Sequence, residues 1–277
     1  MRSIASGPPP AEVRTAFGAT GNPERLAGGQ GTAWRLGDIV FKPIDISEEE
    51  LNWQADLLPS LRPDGFRLSS PRRTGNGLLV VDDWCAWEFV AGHHQDRRWV
   101  DIIRGGEAFH AALSGVSRPT FLDRRTDRWA VADRAAWGDL PIADFFRVKH
   151  VRRLARALRP IGAKSQLVHG DLTGNVLFAQ ELAPAIIDLS LYWRPTAFAS
   201  AVVIADALVW EGADQTVLSA VEHVNEFAQF LLRALIYRAV TDRLFREHEP
   251  LRPDSADPYL AAVALACRLA GAEQPTS

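Results

Sequence analysis

The apolar positions change their spacing about a third of the way along the chain. Up to residue 90 they fall in short runs broken by Gly, Asp and Pro, the pattern of strands joined by turns. Residues 24–27, 32–36 and 38–42 read as strands, with Gly28-Gly29-Gln30-Gly31 as the turn between the first two. Residues 78–81 and 85–90 complete a small sheet. A loose Pro/Ser/Gly-rich end at 1–10 precedes a short helix over 11–17. A longer helix over 47–61 opens with the capping box Ser47-x-x-Glu50.

From about Trp99 the apolar residues recur at helical spacing. Residues 100–113 and 145–158 are amphipathic, the second with Val148, Val151, Leu154, Ala155 and Leu158 on one face. Further helices cover 199–210, 216–248 (kinked or split) and 258–270. Residues 123–139, rich in Arg, Trp and Asp, read as a long loop or insertion. Among the helices lies one more β element, in which 176–179 and 185–187 flank the connector 180–184. Residues equidistant from the turn of an antiparallel hairpin face each other. A midpoint between Glu181 and Leu182 therefore sets Asn175 beside Asp188. A β-rich front and a helical back make the fold α+β, without internal repeats, and divide the chain into 1–91 and 92–277.

Composition narrows the function classes. With 277 residues, 47% of them hydrophobic, the chain can bury the core of one large domain or two lobes. A formal charge of −3 and a pI near 6.2 give no basis for binding nucleic acid or an anionic membrane. The nine Trp are scattered and form no stacking platform. Three lysines (Lys42, Lys149, Lys164) stand against 28 arginines, a bias read as genome composition rather than a basic surface. Cys85 and Cys267 lie far apart inside apolar runs, as buried thiols of a reducing cytoplasm do. No signal peptide is evident, and the longest apolar run, 197–205, is too short to span a bilayer. A cytoplasmic protein is expected.

The chemistry concentrates around the hairpin. His169-Gly170-Asp171-Leu172-Thr173-Gly174-Asn175 leads into it and Ile186-Ile187-Asp188 leaves it. A carboxylate and an amide oxygen that converge suit Mg²⁺, which takes few protein oxygens and completes its sphere with phosphates and water. A second carboxylate nearby can accept the proton of an attacking hydroxyl. These are the parts of a phosphoryl-transfer site. Asp and Asn are also common loop residues, so the signal rests on their joint occurrence with two apolar strands.

His-Gly-Asp-Leu…Asn…Ile-Asp resembles the aminoglycoside phosphotransferase and choline kinase family, small-molecule members of the protein-kinase-like fold. Extended by Tyr192-Trp193-Arg194-Pro195, the run is similar to an actinobacterial branch of that family. The resemblance implies two lobes, a small antiparallel β-rich N-lobe and a larger helical C-lobe. It implies Asp171 as the catalytic-loop aspartate, and Asn175 and Asp188 as ligands of the nucleotide's Mg²⁺. Lys42, ending an apolar strand, becomes the α/β-phosphate contact, and Glu88, Phe89 and Val90 lie where the family holds the adenine. The Asp171–Asn175 gap of four is one shorter than the family's usual five, whereas the Asn175–Asp188 gap of thirteen is normal.

Other residues keep two readings. Gly28, Gly29 and Gly31 either bring backbone N–H groups to a phosphate tail or form an ordinary turn; no Gly-Lys-Ser/Thr follows, so the loop is not of the Walker type. Glu50 leads as the acidic partner of Lys42, although Glu48, Glu49 and Glu50 also complement a helix dipole. Gln54 is better spaced but cannot form an ion pair. His169 braces the loop through backbone hydrogen bonds, while the adjacent His93 and His94 point apart and make no metal pair. Arg194 contacts phosphate or braces Asp171, against the reading in which Trp193 is simply core. Asp123, Asp127, Asp133, Asp139 and Asp144 supply an acidic pocket for an aminosugar or a solvated loop face.

The expected activity is ATP- or GTP-dependent phosphoryl transfer to a hydroxyl, in preference to an amine, of a small molecule. The alternative is a catalytically degenerate nucleotide-binding or regulatory relative. His-Arg-Asp, Asp-Phe-Gly and Ala-Pro-Glu are absent, against a protein kinase, and the histidine-rich ligand sets of a metal-dependent hydrolase are absent too.

Overall fold

A computed structural model describes residues 7–26, 31–249 and 254–272. In chain order the first elements are α1 (Ala11–Ala16), β1 (Glu24–Arg25), β2 (Trp34–Leu36), β3 (Ile39–Pro43), α2 (Glu48–Leu57), β4 (Arg67–Leu68), β5 (Pro71–Arg72), β6 (Val80–Val81) and β7 (Trp84–Glu88). The helical section brings α3 (Trp99–Ala112), α4 (Phe121–Arg124), α5 (Arg128–Trp137) and α6 (Val151–Ala157). Short strands follow: β8 (Gln166–His169), β9 (Val176–Leu177), β10 (Ala185–Ile186) and β11 (Leu191–Arg194). The chain then runs through α7 (Thr196–Val209), α8 (Phe227–Phe245) and α9 (Leu260–Leu269).

The chain forms two compact units. The first joins Met1–His94 to Gly174–Asp188. Its main sheet has the order β1-β2-β3-β7-β5, with β6 also on β7, and every pairing is antiparallel. Alternation along β3 turns Ile39 and Phe41 into a core shared with Val13, Phe17, Leu36, Trp84 and Ala86. Phe17 of α1 meets Phe41 edge to face at 5.7 Å. The same alternation sends Lys42 to the opposite face. Ser47 is the N-cap of α2, as the predicted capping box requires, its Oγ accepting the Glu50 N–H at 3.1 Å.

The hairpin β9–β10 joins this unit because β10 runs parallel to β4, with Ala185 opposite Arg67 and Ile186 opposite Leu68. Its register departs from the expectation by one residue. Leu177 faces Ala185 and Val176 faces Ile186, so Ile187 rather than Asp188 lies opposite Asn175 and donates to its carbonyl at 3.0 Å. The turn centres on Glu181, at φ +57, and not between Glu181 and Leu182.

The second unit joins Gln95–Thr173 to Leu189–Ser277. Helices α7 and α8, buried along most of their length, form its centre; α3 packs on α7, and α5, α6 and α9 pack on α8. Strands β8 and β11 pair antiparallel, with His169 opposite Leu191. Two expectations are corrected here, over 123–139 and 145–158, and the split expected within 216–248 is found. Residues 123–139 are not a loop: α5 forms there, capped by Asp127, whose side chain accepts the Ala130 N–H at 2.9 Å, and stopped by Gly138 at φ +79. The helix expected over 145–158 shortens to α6, because His150 takes φ +71 just before it. Residues 216–248 split into a 3₁₀ segment, Gln215–Val221, and α8, with Glu226 at φ +56 between them. No described helix is long and apolar enough to cross a membrane.

Candidate active site

In the first unit Lys42 and Asp188 come together. The Lys42 side chain is 13% exposed, and its ammonium binds Asp188 Oδ1, with Asp45 Oδ1 at 3.6 Å. The ring of Trp87 lies 5.2 Å below the cation. Burial pulls the Lys42 ammonium toward neutrality, but the facing Asp188 and Asp45 outweigh it and hold its pKa above the ordinary value. The neighbouring Cys85 thiol is pushed up to about 11 by burial, against the pull of Lys42, and is an inert buried thiol. The partner of Lys42, left open by the sequence with Glu50 leading, is Asp188, with Asp45 nearby; Glu50 is buried on α2, where Gln54 Nε2 reaches it at 3.4 Å.

Asp188 leaves β10 at φ +50, a left-handed conformation that Asp tolerates better than most residues. Its side chain is 47% exposed. Among the described residues Oδ2 has no hydrogen-bond partner. Asn175, at the entry to β9, contributes its carbonyl to the ladder by accepting the Ile187 N–H. One half-exposed carboxylate and one amide, one register step apart, suit a hard cation that draws its remaining ligands from phosphate and water. The residues therefore fit Mg²⁺.

Glu88, Phe89 and Val90 follow β7. The Glu88 N–H donates to Ser70 O at 2.8 Å, and Ser69 Oγ donates to Glu88 O at 2.7 Å. The Phe89 N–H donates to Asp38 O at 2.8 Å, and the Arg35 guanidinium covers its ring at 3.6 Å. Among the described residues no hydrogen bond engages the Val90 main chain. The next carbonyl, Ala91 O, accepts from Arg67 Nη2 at 2.9 Å, while Arg67 Nε donates to Ala183 O at 2.7 Å. This arginine ties the segment after β7 to the hairpin connector. Gly28 and Gly29 lie outside the described residues. Gly31 is described at φ +67, with its carbonyl accepting Arg25 Nε at 2.9 Å. The strands it joins are an antiparallel pair, as expected.

In the second unit β8 delivers His169-Gly170-Asp171. His169 is fully buried, and its Nδ1 accepts the N–H groups of Ser190 at 3.2 Å and Asp171 at 3.4 Å. That is the bracing role expected of it. Its own N–H donates to Nε2 of His110 on α3 at 3.0 Å. Burial, followed by the nearby His169, drives the His110 pKa down to about 3, so this ring is a neutral acceptor. Two glycines let the loop pack. A Cβ on Gly170 would sit 2.6 Å from Tyr192 Cδ2, and one on Gly106 of α3 would sit 2.4 Å from Leu172 Cδ1.

Asp171 itself meets Arg238 of α8, whose Nη2 donates to Oδ1 at 2.6 Å. The same guanidinium forks onto Asp206 of α7, with Nε to Oδ1 at 2.7 Å and Nη2 to Oδ2 at 2.5 Å. Arg238, Asp206 and His110 were not singled out from the sequence. The available signal was a charged residue inside a long, largely apolar stretch, clear for Asp206 in 197–210 and weaker for Arg238, whose helix also carries Arg233, Asp242 and Arg243. Arg194 does not brace Asp171: it binds Asp133 at 3.0 and 2.6 Å and Asp139 at 2.6 Å. Asp123 pairs with Arg118, and Asp127 with Arg125. Four of the five aspartates considered for an acidic pocket are thus matched by arginines.

Comparison with known proteins gives the family and the fold. The sequence model of the family described as "Phosphotransferase enzyme family" matches residues 24–192. No curated protein sequence matches the chain. Among solved structures, spectinomycin phosphotransferase APH(9)-Ia in complex with ADP and spectinomycin is 15% identical, with 95% of this chain and 97% of that chain covered at a TM-score of 0.54. A thermostable mutant of aminoglycoside phosphotransferase APH(4)-Ia, in ternary complex with ADP and hygromycin B, is 10% identical over 96% and 98% of the two chains, with a TM-score of 0.57. A choline/ethanolamine kinase family protein from Mesorhizobium loti is 18% identical over 95% of each chain, with a TM-score of 0.51. The fold is shared along almost the whole chain, and the family match spans well over half of it: the chain belongs to the phosphotransferase enzyme family.

Proposed function

We propose that the protein moves the γ-phosphoryl group of ATP or GTP to a hydroxyl group of a small molecule in the cytoplasm. The observation that carries this reading is the meeting of Lys42 and Asp188, a cation and a carboxylate 146 residues apart in sequence. The pair neutralises itself without ligand and can be divided by a nucleotide, with Lys42 taking the α/β-phosphates and Asp188 turning to the metal. Asn175 and Asp188 would hold Mg²⁺, which when bound offsets charge on the β- and γ-phosphates. The Val90 main chain and the neighbouring Glu88 and Phe89 offer hydrogen-bonding and apolar groups to a base, and the segment Gly28–Gly31 lies by sequence where it would close over the phosphates.

Asp171 orients the acceptor hydroxyl and takes its proton as the oxygen bonds to the γ-phosphorus and the bond to the β-phosphate oxygen breaks. The transition state is loose, so the residues act mainly by position and charge. Related structures hold spectinomycin or hygromycin B. Here Asp123 and Asp127 pair with Arg118 and Arg125, and Asp133 and Asp139 share Arg194, leaving one surplus negative charge among them for a polycation. A neutral or singly charged alcohol is the better-fitting acceptor.

Thermal unfolding with Mg²⁺ and ATP or GTP tests the reading. A ligand of the native state raises the midpoint by mass action, and the rise should disappear in Asp188→Ala. Release of nucleoside diphosphate in the presence of sugars and amino alcohols then identifies the acceptor. A folded sample whose midpoint neither nucleotide moves would overturn the proposal.

A further inference from the structure

Arg238 is 9% exposed and Asp206 3% exposed, while Asp171 keeps 27% of its side chain open. Burial alone explains a neutral Arg238–Asp206 pair. It does not explain the additional bond from Arg238 Nη2 to Asp171, which water could otherwise solvate. The guanidinium is also boxed in by rings, with its carbon 5.8 Å from the centroid of Trp210 and 5.2 Å from that of Tyr237. Tyr237 OH lies 3.0 Å from Tyr192 OH, and Tyr192 is the ring against which Gly170 packs. The floor under the catalytic loop is therefore continuous from Gly170 through two tyrosines to Arg238.

We propose that Arg238, fixed by its two bonds to Asp206, is a positioning residue that holds the Asp171 carboxylate in the orientation in which it receives the acceptor's proton. A planar fork with two of its bonds on a buried carboxylate cannot swing, so its remaining donor direction is set. Asp171 then stands in one rotamer before any substrate arrives. This inference rests on the phosphotransferase reading and adds to it a residue from α8, 67 positions beyond Asp171.

The test compares wild type, Arg238→Lys and Arg238→Gln, each alone and combined with Asp171→Asn. Arg238→Lys keeps the charge and loses the fork. It should bind Mg²⁺–ADP within about twofold of wild type yet lose about 100-fold in kcat for phosphoryl transfer, with water as acceptor if no alcohol has been found. Asp171→Asn should then cost little more in the Arg238→Lys background, because the two residues act as one unit. Purely structural support would instead lower the unfolding midpoint and leave kcat within a few-fold, and that result overturns the proposal.

A stability cycle separates failure of this inference from failure of the phosphotransferase reading. The effect of Asp171→Asn on the unfolding constant should differ by about fivefold between the wild-type and Arg238→Gln backgrounds, or Arg238→Lys if the former does not fold. Coupling without turnover in wild type refutes the phosphotransferase reading and leaves the clamp standing. Effects that simply multiply show that Arg238 does not hold Asp171, whatever the turnover.

Discussion

At the scale of single residues, the loop that carries Asp171 is held by groups that must stay neutral or small. His110 accepts the His169 N–H and is driven down to about 3 by burial. Its folded pKa is depressed, so between about 3 and the ordinary 6.5 the unfolded chain binds the extra proton. Stability from this group is then full above pH 6.5 and is lost as pH falls through that window, by up to about 1.4 kcal/mol per pH unit. His110→Gln retains an acceptor but cannot titrate. Urea midpoints of the variant should vary less between pH 6.5 and 4 than those of wild type, and equal slopes would assign the effect elsewhere. Gly170→Ala acts by shape: its Cβ meets a buried ring that is itself pinned to Tyr237, and the forced shift should cost about 1–3 kcal/mol in denaturant unfolding. The bracing role of His169 was legible because it is local to the loop. Its support by His110 was not, since α3 supplies that group from 59 positions upstream.

At the scale of elements, legibility followed apolar periodicity. The strands β2, β3 and β7 and the helices α3, α7 and α9 carry it and were readable near their true limits. Helix α5 was missed because its buried face is built largely of alanines amid Arg, Trp and Asp, so that its cap and its terminal glycine are the stronger signals. The hairpin was readable, but its register hinged on the left-handed Glu181 and came out one residue away. Strands β4 and β5, two residues each in a segment rich in Arg, Ser and Pro, are defined by distant pairing alone. What ties α5 to β11 is Arg194, bound through two bonds to the buried Asp133. Burial raises the Asp133 pKa, against the pull of Arg194. Arg194→Ala leaves that carboxylate buried without a partner cation. The expected loss is about 3–5 kcal/mol, whereas Asp139→Ala, at the exposed end of the same cluster, should cost about 1 kcal/mol or less. Equal losses in chemical denaturation would show that Asp133 is not the anchor.

At the scale of the whole molecule, the candidate residues divide between two units. Lys42, Asn175 and Asp188 belong to the first and Asp171 to the second, and the chain crosses between them at Thr173–Gly174 and again at Asp188–Leu189. A sequence motif reads as one continuous run, so this division was hidden: it depends on the parallel pairing of β10 with β4, more than a hundred residues away in sequence. Under the proposed function, the division makes nucleotide binding and acceptor chemistry separable by mutation. At a nucleotide concentration of about 100 times Kd, Mg²⁺–ATP should add about 2.7 kcal/mol to stability. For a chain of this size that is roughly 5–10 °C in the unfolding midpoint. Asp171→Asn should keep that shift while abolishing phosphoryl transfer, because none of the nucleotide contacts assigned to the first unit is altered. Asp188→Ala should lose both shift and transfer, and Lys42→Met should reduce the shift in proportion to the phosphate contact it removes. If Asp171→Asn instead lost the shift along with the activity, Asp171 would have to hold the nucleotide as well as the acceptor, and the division of labour between the two units would be wrong even though the family assignment stood.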